Sequence, residues 1–316
     1  MLDCATVSGA WQESSGKGRL ECRIGIARLT AGERGELARE AIHRKLDQEL
    51  SEVDFGSAEI YLLHGYPQSD IGKGNLIARL ASMFRPDSNI VKFDGFLNTN
   101  KDGRYPSRHS YDFPIYRRFL PYVEFGGCNQ IISGMLLAEF LERFGETGDH
   151  LLFRPHVSKF FLLTLYRCWK GLGRPERLFV EIGGTFLDPE VSLFVLPALS
   201  LLKRIHKGVS SFLLTELHYS GQHLKSRTLQ RALSEGLRYD LVFDVVFARK
   251  PFDLPACKRD HALTEYIASR VSGSLIYGGR VPKLVLVPFF SDPAMPTYRR
   301  FLLRHKAEIF GEPDRA

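Results

Sequence analysis

The sequence has few cysteines, and they lack the spacing that a disulfide framework or a zinc site needs. Five occur among 316 residues, and none lies in a C-x-x-C pair: Cys4, Cys22, Cys128, Cys168 and Cys257. An odd number of scattered cysteines argues against both kinds of site. A reduced, cytoplasmic setting is therefore expected.

Long apolar runs are also missing. The longest, VSLFVLPALSLL at residues 191–202, contains Pro197 and is shorter than the roughly 20 residues that a membrane-spanning helix needs. The N-terminal stretch MLDCATVSGAWQESSGKG lacks the basic start and apolar segment of a signal peptide. We expect a soluble protein with no membrane partner.

The sequence does carry a positive formal net charge of +7 and a hydrophobic content of 44%. The apolar content supports a substantial core and excludes disorder as a global description. The charge indicates an anionic partner, which phosphorylated small molecules satisfy as well as nucleic acid does. No nucleic-acid-binding motif accompanies the charge, so that class of partner ranks last.

The apolar pattern changes near residue 55. Residues 1–55 are predicted to form an N-terminal extension with an amphipathic helix that lies on the body of the protein. The apolar residues at helical spacing in this segment are Leu37, Ala41, Ile42, Leu46 and Leu50. Residues 56–316 are predicted to form the main domain.

The main domain alternates strand-like and helix-like segments. The strand-like runs are AEIYLLHG, NIVKFDGF, RLFVEIGG, SSFLLTELH, YDLVFDVVFA and KLVLVPFF. The helix-like runs are GNLIARLASMF, GMLLAEFLERFG, HVSKFFLLTLYRCWKG, VSLFVLPALSLLKRIHKG, KSRTLQRALSEGL and RDHALTEYIASRVSG. This order predicts an α/β fold of P-loop (Rossmann-like) type, with a mostly parallel sheet and helices on both faces. Such sheets bind ligands at the carboxyl ends of their strands.

A glycine-rich loop, GYPQSDIGKGN, follows the first predicted strand. Six residues separate Gly65 from Gly72, and Gly74 stands where the P-loop pattern G-x-x-x-x-G-K-[ST] has a magnesium-binding hydroxyl. A strand-to-helix turn of this kind lets backbone N–H groups face an anion while Lys73 adds a positive charge. A lysine in a solvated turn is an equally weighted alternative.

Lys92 and Glu181 stand near the ends of two further predicted strands. An unpaired lysine is costly to bury, so Lys92 should reach a partner, although an edge-strand lysine facing water is a competing interpretation. Glu181 would lie beside the glycine-rich loop if the two strands are neighbours, where it could hold Mg²⁺ on a nucleotide phosphate. The alternative role for Glu181, capping the next helix, is filled equally well by Asp188 or Thr185. Asp112 by itself is also interpreted as a helix cap.

Taken in order, these segments resemble the synthetase (amidoligase) domain of the CTP synthase family. GYPQSDIGKGN resembles the family's ATP loop, IVKFDGFLN its following strand, and VEIGGT its most specific motif. The segments YDFPIYRRFL, ERFGETGDHLLFRPHVSKF and KSRTLQRALSEGLRYDLVF are similar to family segments in the same order. The resemblance runs from about residue 58 to residue 310 and identifies residues 56–316 as an amidoligase domain.

The resemblance implies ATP and Mg²⁺ as cofactors and assigns roles to individual residues. Lys73 and Lys92 would be the catalytic contacts to the phosphates, and Asp112 and Glu181 would coordinate the metal. The loop residues implied to bind ATP are Gly65, Ser69, Asp70, Gly72, Lys73, Gly74 and Asn75. The residues implied to bind a second substrate are Asp188, Glu190, Lys225 and Arg227.

The implied reaction is phosphorylation of a carbonyl oxygen on a pyrimidine nucleotide or similar substrate, followed by replacement with ammonia or another amine. We expect no glutaminase domain like the family's, so a separate glutaminase could supply the nitrogen. The segment from Asn98 to Asp112 is shorter than in the family, and SGQHLKSRT replaces the Lys-Thr-Lys-Pro-Thr-Gln signature, so UTP is not assumed. A homodimer or homotetramer is expected. The alternative is a non-ligase P-loop nucleotide-binding protein with a regulatory or assembly role.

Overall fold

The computed structural model describes residues 30–68, 70–95, 110, 112–144, 152–185, 187–220, 223–225, 227–238, 241–250, 282–288 and 296–311. Within these ranges a seven-stranded sheet forms the centre of the molecule. Every pair of neighbouring strands in it is parallel. The predicted α/β fold with a mostly parallel sheet is confirmed.

The strands alternate with helices along the chain. The strands are β1 (Glu59–Gly65), β2 (Ser88–Asp94), β3 (Gln130–Ile132), β4 (Arg177–Ile182), β5 (Val209–Glu216), β6 (His218–Ser220), β7 (His223–Lys225), β8 (Val245–Lys250) and β9 (Lys283–Pro288). The α-helices are α1 (Ala31–Ser51), α2 (Lys73–Ser82), α3 (Phe113–Phe119), α4 (Ser133–Phe144), α5 (Ser158–Gly171), α6 (Leu196–Ile205), α7 (Arg227–Leu237), α8 (Pro296–Arg304) and α9 (Lys306–Phe310).

Apolar side chains cover both faces of the sheet. Ile60 and Leu62 of β1 point into a cluster with residues of α1, α4, α5, α6 and α7. Tyr61 and Leu63 point to the opposite face, where residues of α2, α3, α8 and α9 pack. This burial on both sides explains why the predicted strands show almost no polar alternation.

The strand order is β3-β2-β4-β1-β5-β8-β9. It places the carboxyl ends of β2, β4 and β1 side by side, where the predicted residues Lys92 and Glu181 lie. β4 lies between β1 and β2, so Glu181 is in register with both Leu63 and Lys92. β1 and β4 are therefore neighbours, as the expected position of Glu181 beside the glycine-rich loop requires. A separate antiparallel hairpin joins β6 to β7.

The predicted amphipathic helix is present as α1, whose cap Thr30 forms a reciprocal pair of hydrogen bonds with Glu33. Ile42 and Leu46 are buried in the core, whereas Ala41 is exposed, so the apolar stripe is narrower than its spacing suggested. α1 packs against α5. The division at residue 55 stays a prediction.

Two strands of the central sheet differ clearly from the prediction. β3 is an additional strand of three residues, too short for an apolar pattern to reveal. β8 begins at Val245, later than predicted, because the Asp244 carboxylate accepts a hydrogen bond from the Ser211 backbone N–H at 2.7 Å and holds the entry to the strand. The helix predicted at residues 259–273 lies outside the described residues. None of the described helices has the length and apolar character that crossing a bilayer requires.

Candidate functional site

The glycine-rich loop ends where α2 begins. Gly72 has a left-handed backbone conformation (φ 98°) that directs the chain from the loop into the helix. The N–H groups of the first turn of a helix have no partner within the helix and favour an anion. A Cβ atom on Gly65 would lie 2.8 Å from Nζ of Lys73, so this glycine leaves room for the lysine side chain across the end of β1.

Lys73 is buried, with 2% of its surface exposed, and its Nζ donates a hydrogen bond to the Gly184 carbonyl oxygen at 2.8 Å. The alternative of a lysine in a solvated turn is therefore wrong. Burial lowers the pKa of Lys73 below its usual value; the Glu181 charge opposes this shift, and the Lys92 charge adds to it. The Lys73 side chain therefore joins the glycine-rich loop directly to the segment that follows β4.

Lys92 lies between two carboxylates at the end of β2. Its Nζ forms an ion pair with Asp112 and another with Asp94 Oδ1 at 3.2 Å. Because β2 has β3 on one side and β4 on the other, Lys92 is not on an edge strand. Asp94 is held from its other oxygen, Oδ2, by Gln130 Nε2 at 2.8 Å. The predicted partner at the strand end is thus a pair of acids.

Glu181 is 3% exposed and accepts a hydrogen bond at Oε2 from the Tyr116 hydroxyl at 2.5 Å. Tyr116 is fully buried in α3. Burial, and then the charge of Glu181, raises the pKa of Tyr116 well above its usual value. The phenol therefore stays neutral and keeps its proton as a donor to the carboxylate.

Asp112 precedes α3, but its side chain makes no hydrogen bond to the first turn of that helix. Interpreting Asp112 as a simple helix cap is wrong, because the carboxylate turns to Lys92 instead. Asp112 and Glu181 both approach Gly74: a Cβ atom there would lie 2.9 Å from Asp112 Oδ1 and 3.5 Å from Glu181 Oε2. The two predicted metal carboxylates therefore meet over the residue that follows Lys73.

This donor set is compatible with Mg²⁺. Proteins commonly hold Mg²⁺ by one or two carboxylates, with waters and substrate phosphates completing the octahedron. Asp112 and Glu181 provide two carboxylates beside a lysine and a helix start. In the described ranges no group of three or more His, Cys, Asp or Glu side chains is arranged to hold a metal by itself, so a phosphate ligand would have to contribute.

The acids after β4 shape the neighbouring loop. Asp188 accepts hydrogen bonds from the Thr185 N–H at 2.7 Å and from the Thr185 hydroxyl at 3.1 Å. Glu190 packs against Gly95, where a Cβ atom would lie 2.6 Å from its Oε1. Glu190 thus reaches the residue that follows Asp94 at the end of β2.

The remaining predicted residues are less closely joined to this cluster. Asp70 is exposed and Asn75 is half-buried. Ser69 lies outside the described residues, as does the side chain of Lys225 in β7. Arg227 is exposed at the start of α7, and no described contact joins it to the lysines or carboxylates.

Sequence reasoning missed three side chains that support the site. Tyr116 follows Asp112 by one helical turn, a spacing that could have indicated its position. Gln130 belongs to the unpredicted β3. Arg249, in β8, donates a hydrogen bond to the Ile71 carbonyl oxygen in the glycine-rich loop at 2.5 Å, and the same nitrogen lies 3.2 Å from Glu216 Oε1.

Comparison with known sequences finds partial similarity to CTP synthases. The CTP synthase of Borreliella burgdorferi is 30% identical over 172 residues, which are 49% of this chain and 32% of the relative. The chain is similar to CTP synthase over about half of its length. The CTP synthase of Thermotoga maritima is 24% identical over 216 residues, 60% of this chain and 40% of the relative. The chain spans well under half the length of the CTP synthases it matches, and no protein-family model matches it.

Solved structures give only remote likenesses. HypB from Helicobacter pylori in complex with nickel has a TM-score of 0.32 and 13% identity, covering 88% of this chain and 99% of that chain. The bifunctional folylpolyglutamate synthase/dihydrofolate synthase of Yersinia pestis with AMPPNP and Mn has a TM-score of 0.30 and 14% identity, covering 84% of this chain and 51% of that chain. Likeness at this level carries no argument about the activity.

Proposed function

We propose that this chain is an ATP- and Mg²⁺-dependent amidoligase of the CTP synthase type. One observation carries the proposal: two buried lysines and two carboxylates from separate segments surround the start of α2. These are Lys73, Lys92, Asp112 and Glu181. A protein that only binds a nucleotide has less need for two carboxylates positioned to hold a metal.

Each of these residues has a role in phosphoryl transfer. Lys73 and the N-terminus of α2 would bind the phosphates, and Lys92 would stabilise the charge on the transferring group. Asp112 and Glu181 would hold Mg²⁺, which when bound supplies positive charge to the phosphate oxygens. Lys92 is paired with Asp112, so it is already held beside the proposed metal site.

The proposed reaction has two steps. The carbonyl oxygen of the second substrate attacks the γ-phosphorus of ATP, the bond to the bridging oxygen breaks, and ADP leaves. Ammonia or another amine then adds to the activated carbon and loses a proton, while the C–O bond breaks and phosphate leaves with its electron pair. Phosphorylation is needed because it converts a poor leaving oxygen into a good one.

The second substrate is proposed to be nucleotide-like. The similarity to CTP synthase supports this class, and Asp188, Glu190, Lys225 and Arg227 are the candidate contacts. The nitrogen would come from free ammonia, another amine or a separate glutaminase. Assembly as a homodimer or homotetramer, and a cytoplasmic location, also stay predictions.

The test is incubation with Mg-ATP, ammonium and a panel of nucleotides and carboxylates, following ADP release and product mass. Turnover should require one co-substrate and should be lost in Lys73→Ala and Glu181→Ala. Lys207→Ala and Glu142→Ala, at exposed positions, are matched controls and should retain it. ATP binding without turnover across the panel would contradict a ligase and favour a regulatory nucleotide-binding protein.

A further inference from the structure

The short helix α3 contacts both proposed metal carboxylates. Asp112 stands immediately before its first residue, and Tyr116 follows one turn later. The two are joined through the backbone, because the Tyr116 N–H donates to the Asp112 carbonyl oxygen at 2.9 Å. The Tyr116 hydroxyl donates to Glu181 on β4. One helix therefore supplies the first carboxylate and holds the second.

The ring of Tyr116 has little freedom to move. Its centroid lies 5.4 Å from that of Phe125 and 6.1 Å from that of Phe113, and all three residues are buried. A close-packed aromatic side chain has a fixed rotamer, so the position of its hydroxyl is fixed as well. Glu181 therefore meets a rigid donor.

We propose that Tyr116 is a positioning residue that orients the Glu181 carboxylate for metal binding. The inference rests on the proposed function. The hydroxyl occupies one lone pair of Glu181 Oε2 and leaves Oε1 without that constraint. Hydrogen-bond partners of metal ligands typically contribute about 10- to 100-fold to metal affinity, because they fix the orientation of the ligand.

The test measures Mn²⁺ binding by electron paramagnetic resonance in the presence of AMPPNP. Tyr116→Phe keeps the ring between Phe113 and Phe125 and removes only the hydroxyl. It should weaken Mn²⁺ binding about tenfold or more. Tyr122→Phe is the matched control, because Tyr122 is 42% exposed and its hydroxyl faces Ser88, at the amino end of β2. This control should bind Mn²⁺ as the unmodified protein does.

The result distinguishes this inference from the proposed function. If the unmodified protein with AMPPNP binds no Mn²⁺, both are overturned. If it binds Mn²⁺ and Tyr116→Phe binds equally well, only the positioning role is overturned. The unmodified protein and Tyr116→Phe should bind AMPPNP equally well in EDTA. A general loss of structure would reduce this metal-free binding, whereas a loss of carboxylate orientation would not.

A measurement with Tyr116 in place covers the case in which Tyr116→Phe does not fold. The 12 tyrosines can be replaced by 3-fluorotyrosine during expression and followed by fluorine NMR. The resonance that shifts in Glu181→Gln identifies residue 116. Mn²⁺ with AMPPNP should broaden that resonance strongly, because the paramagnetic ion would be held by the carboxylate that the hydroxyl contacts. A resonance that stays sharp at saturating Mn²⁺ and AMPPNP would contradict the proposal.

Discussion

The carboxylate of Asp112 fills the space that a side chain on residue 74 would occupy. A Cβ atom added to Gly74 would come within 2.9 Å of Asp112 Oδ1, closer than real Cβ atoms approach such a group. The P-loop pattern has Ser or Thr at this position. Here an acid from a distant segment takes the space of that side chain, which explains why glycine is needed.

Gly74→Ala should therefore impair the site without weakening the fold. Alanine in a helix is normally more favourable than glycine by about 0.5–1 kcal/mol, so a loss cannot come from helix propensity. Displacing Asp112 should lower ATP turnover by about 100-fold, since a shift of about 1 Å in a catalytic arrangement has that effect. Gly127→Ala, where no atom lies within 4 Å of the added Cβ, is the control. Equal steady-state rates for the two variants would contradict the prediction.

Arg249→Met should weaken nucleotide binding through the loop. The guanidinium donates to the Ile71 carbonyl oxygen, and a hydrogen bond from a charged group contributes about 1.5–3 kcal/mol. We expect the dissociation constant of AMPPNP to rise about tenfold, measured by calorimetry. Arg238→Met is the control, because that side chain is 73% exposed and pairs with Glu235, three residues earlier in the chain. An unchanged constant in Arg249→Met would show that the loop does not need this bond.

His64 should make the protein sensitive to acid. Burial lowers its pKa to about 3, and the charges of Lys203 and Lys73 act in the same direction. Below the unfolded pKa of 6.5 the unfolded chain binds a proton that the folded chain does not, so stability falls by about 1.4 kcal/mol per pH unit until the folded pKa is reached.

Between pH 7 and pH 5 this group should account for about 2 kcal/mol of the decrease in the free energy of unfolding. The side chain in His64→Asn does not titrate. Between pH 7 and pH 5 the free energy of unfolding of this variant, measured by urea titration, should therefore fall by about 2 kcal/mol less than that of the unmodified protein. Parallel pH profiles for the two proteins would exclude His64 as the cause.

Leu46→Ala tests whether α1 is part of the folded body. Leu46 is fully buried, and replacing a buried leucine by alanine typically costs 2–5 kcal/mol. The free energy of unfolding should fall by about that amount in a single transition. Leu141→Ala, at a 51% exposed position on α4, should change it by about 0.5 kcal/mol or less. A separate early transition in Leu46→Ala would instead indicate an independently folding extension.

Much of the fold could be predicted because its strands are long and buried on both faces. The apolar runs containing Leu62, Val91 and Val180 indicate strands at the centre of a sheet. β3 could not be found in this way, because three residues are too few to show a pattern. Its membership in the sheet is decided by backbone pairing with β2, which depends on tertiary contacts rather than on local composition.

The positions of the charged residues in the candidate site could be predicted in part, but the side chains that contact them could not. Lys92 and Glu181 stand near the carboxyl ends of their strands, and Lys73 begins the helix that follows β1, which is where a parallel sheet collects its functional side chains. The sequence could not indicate that Asp112 reaches Lys92, since the two are 20 positions apart and joined only by the folded chain. The support from Tyr116 was missed for the same reason, because its contact with Glu181 spans 65 positions.

The strand order also has a consequence for synthesis on the ribosome. Lys73, Lys92, Asp112 and Glu181 are made in that order, and β4, which carries the last of them, inserts between β1 and β2. A nascent chain that stops before β4 lacks both the central strand of this region and one of the two acids. The glycine-rich loop thus exists early in translation, whereas the complete charge arrangement can form only after Glu181 has left the exit tunnel.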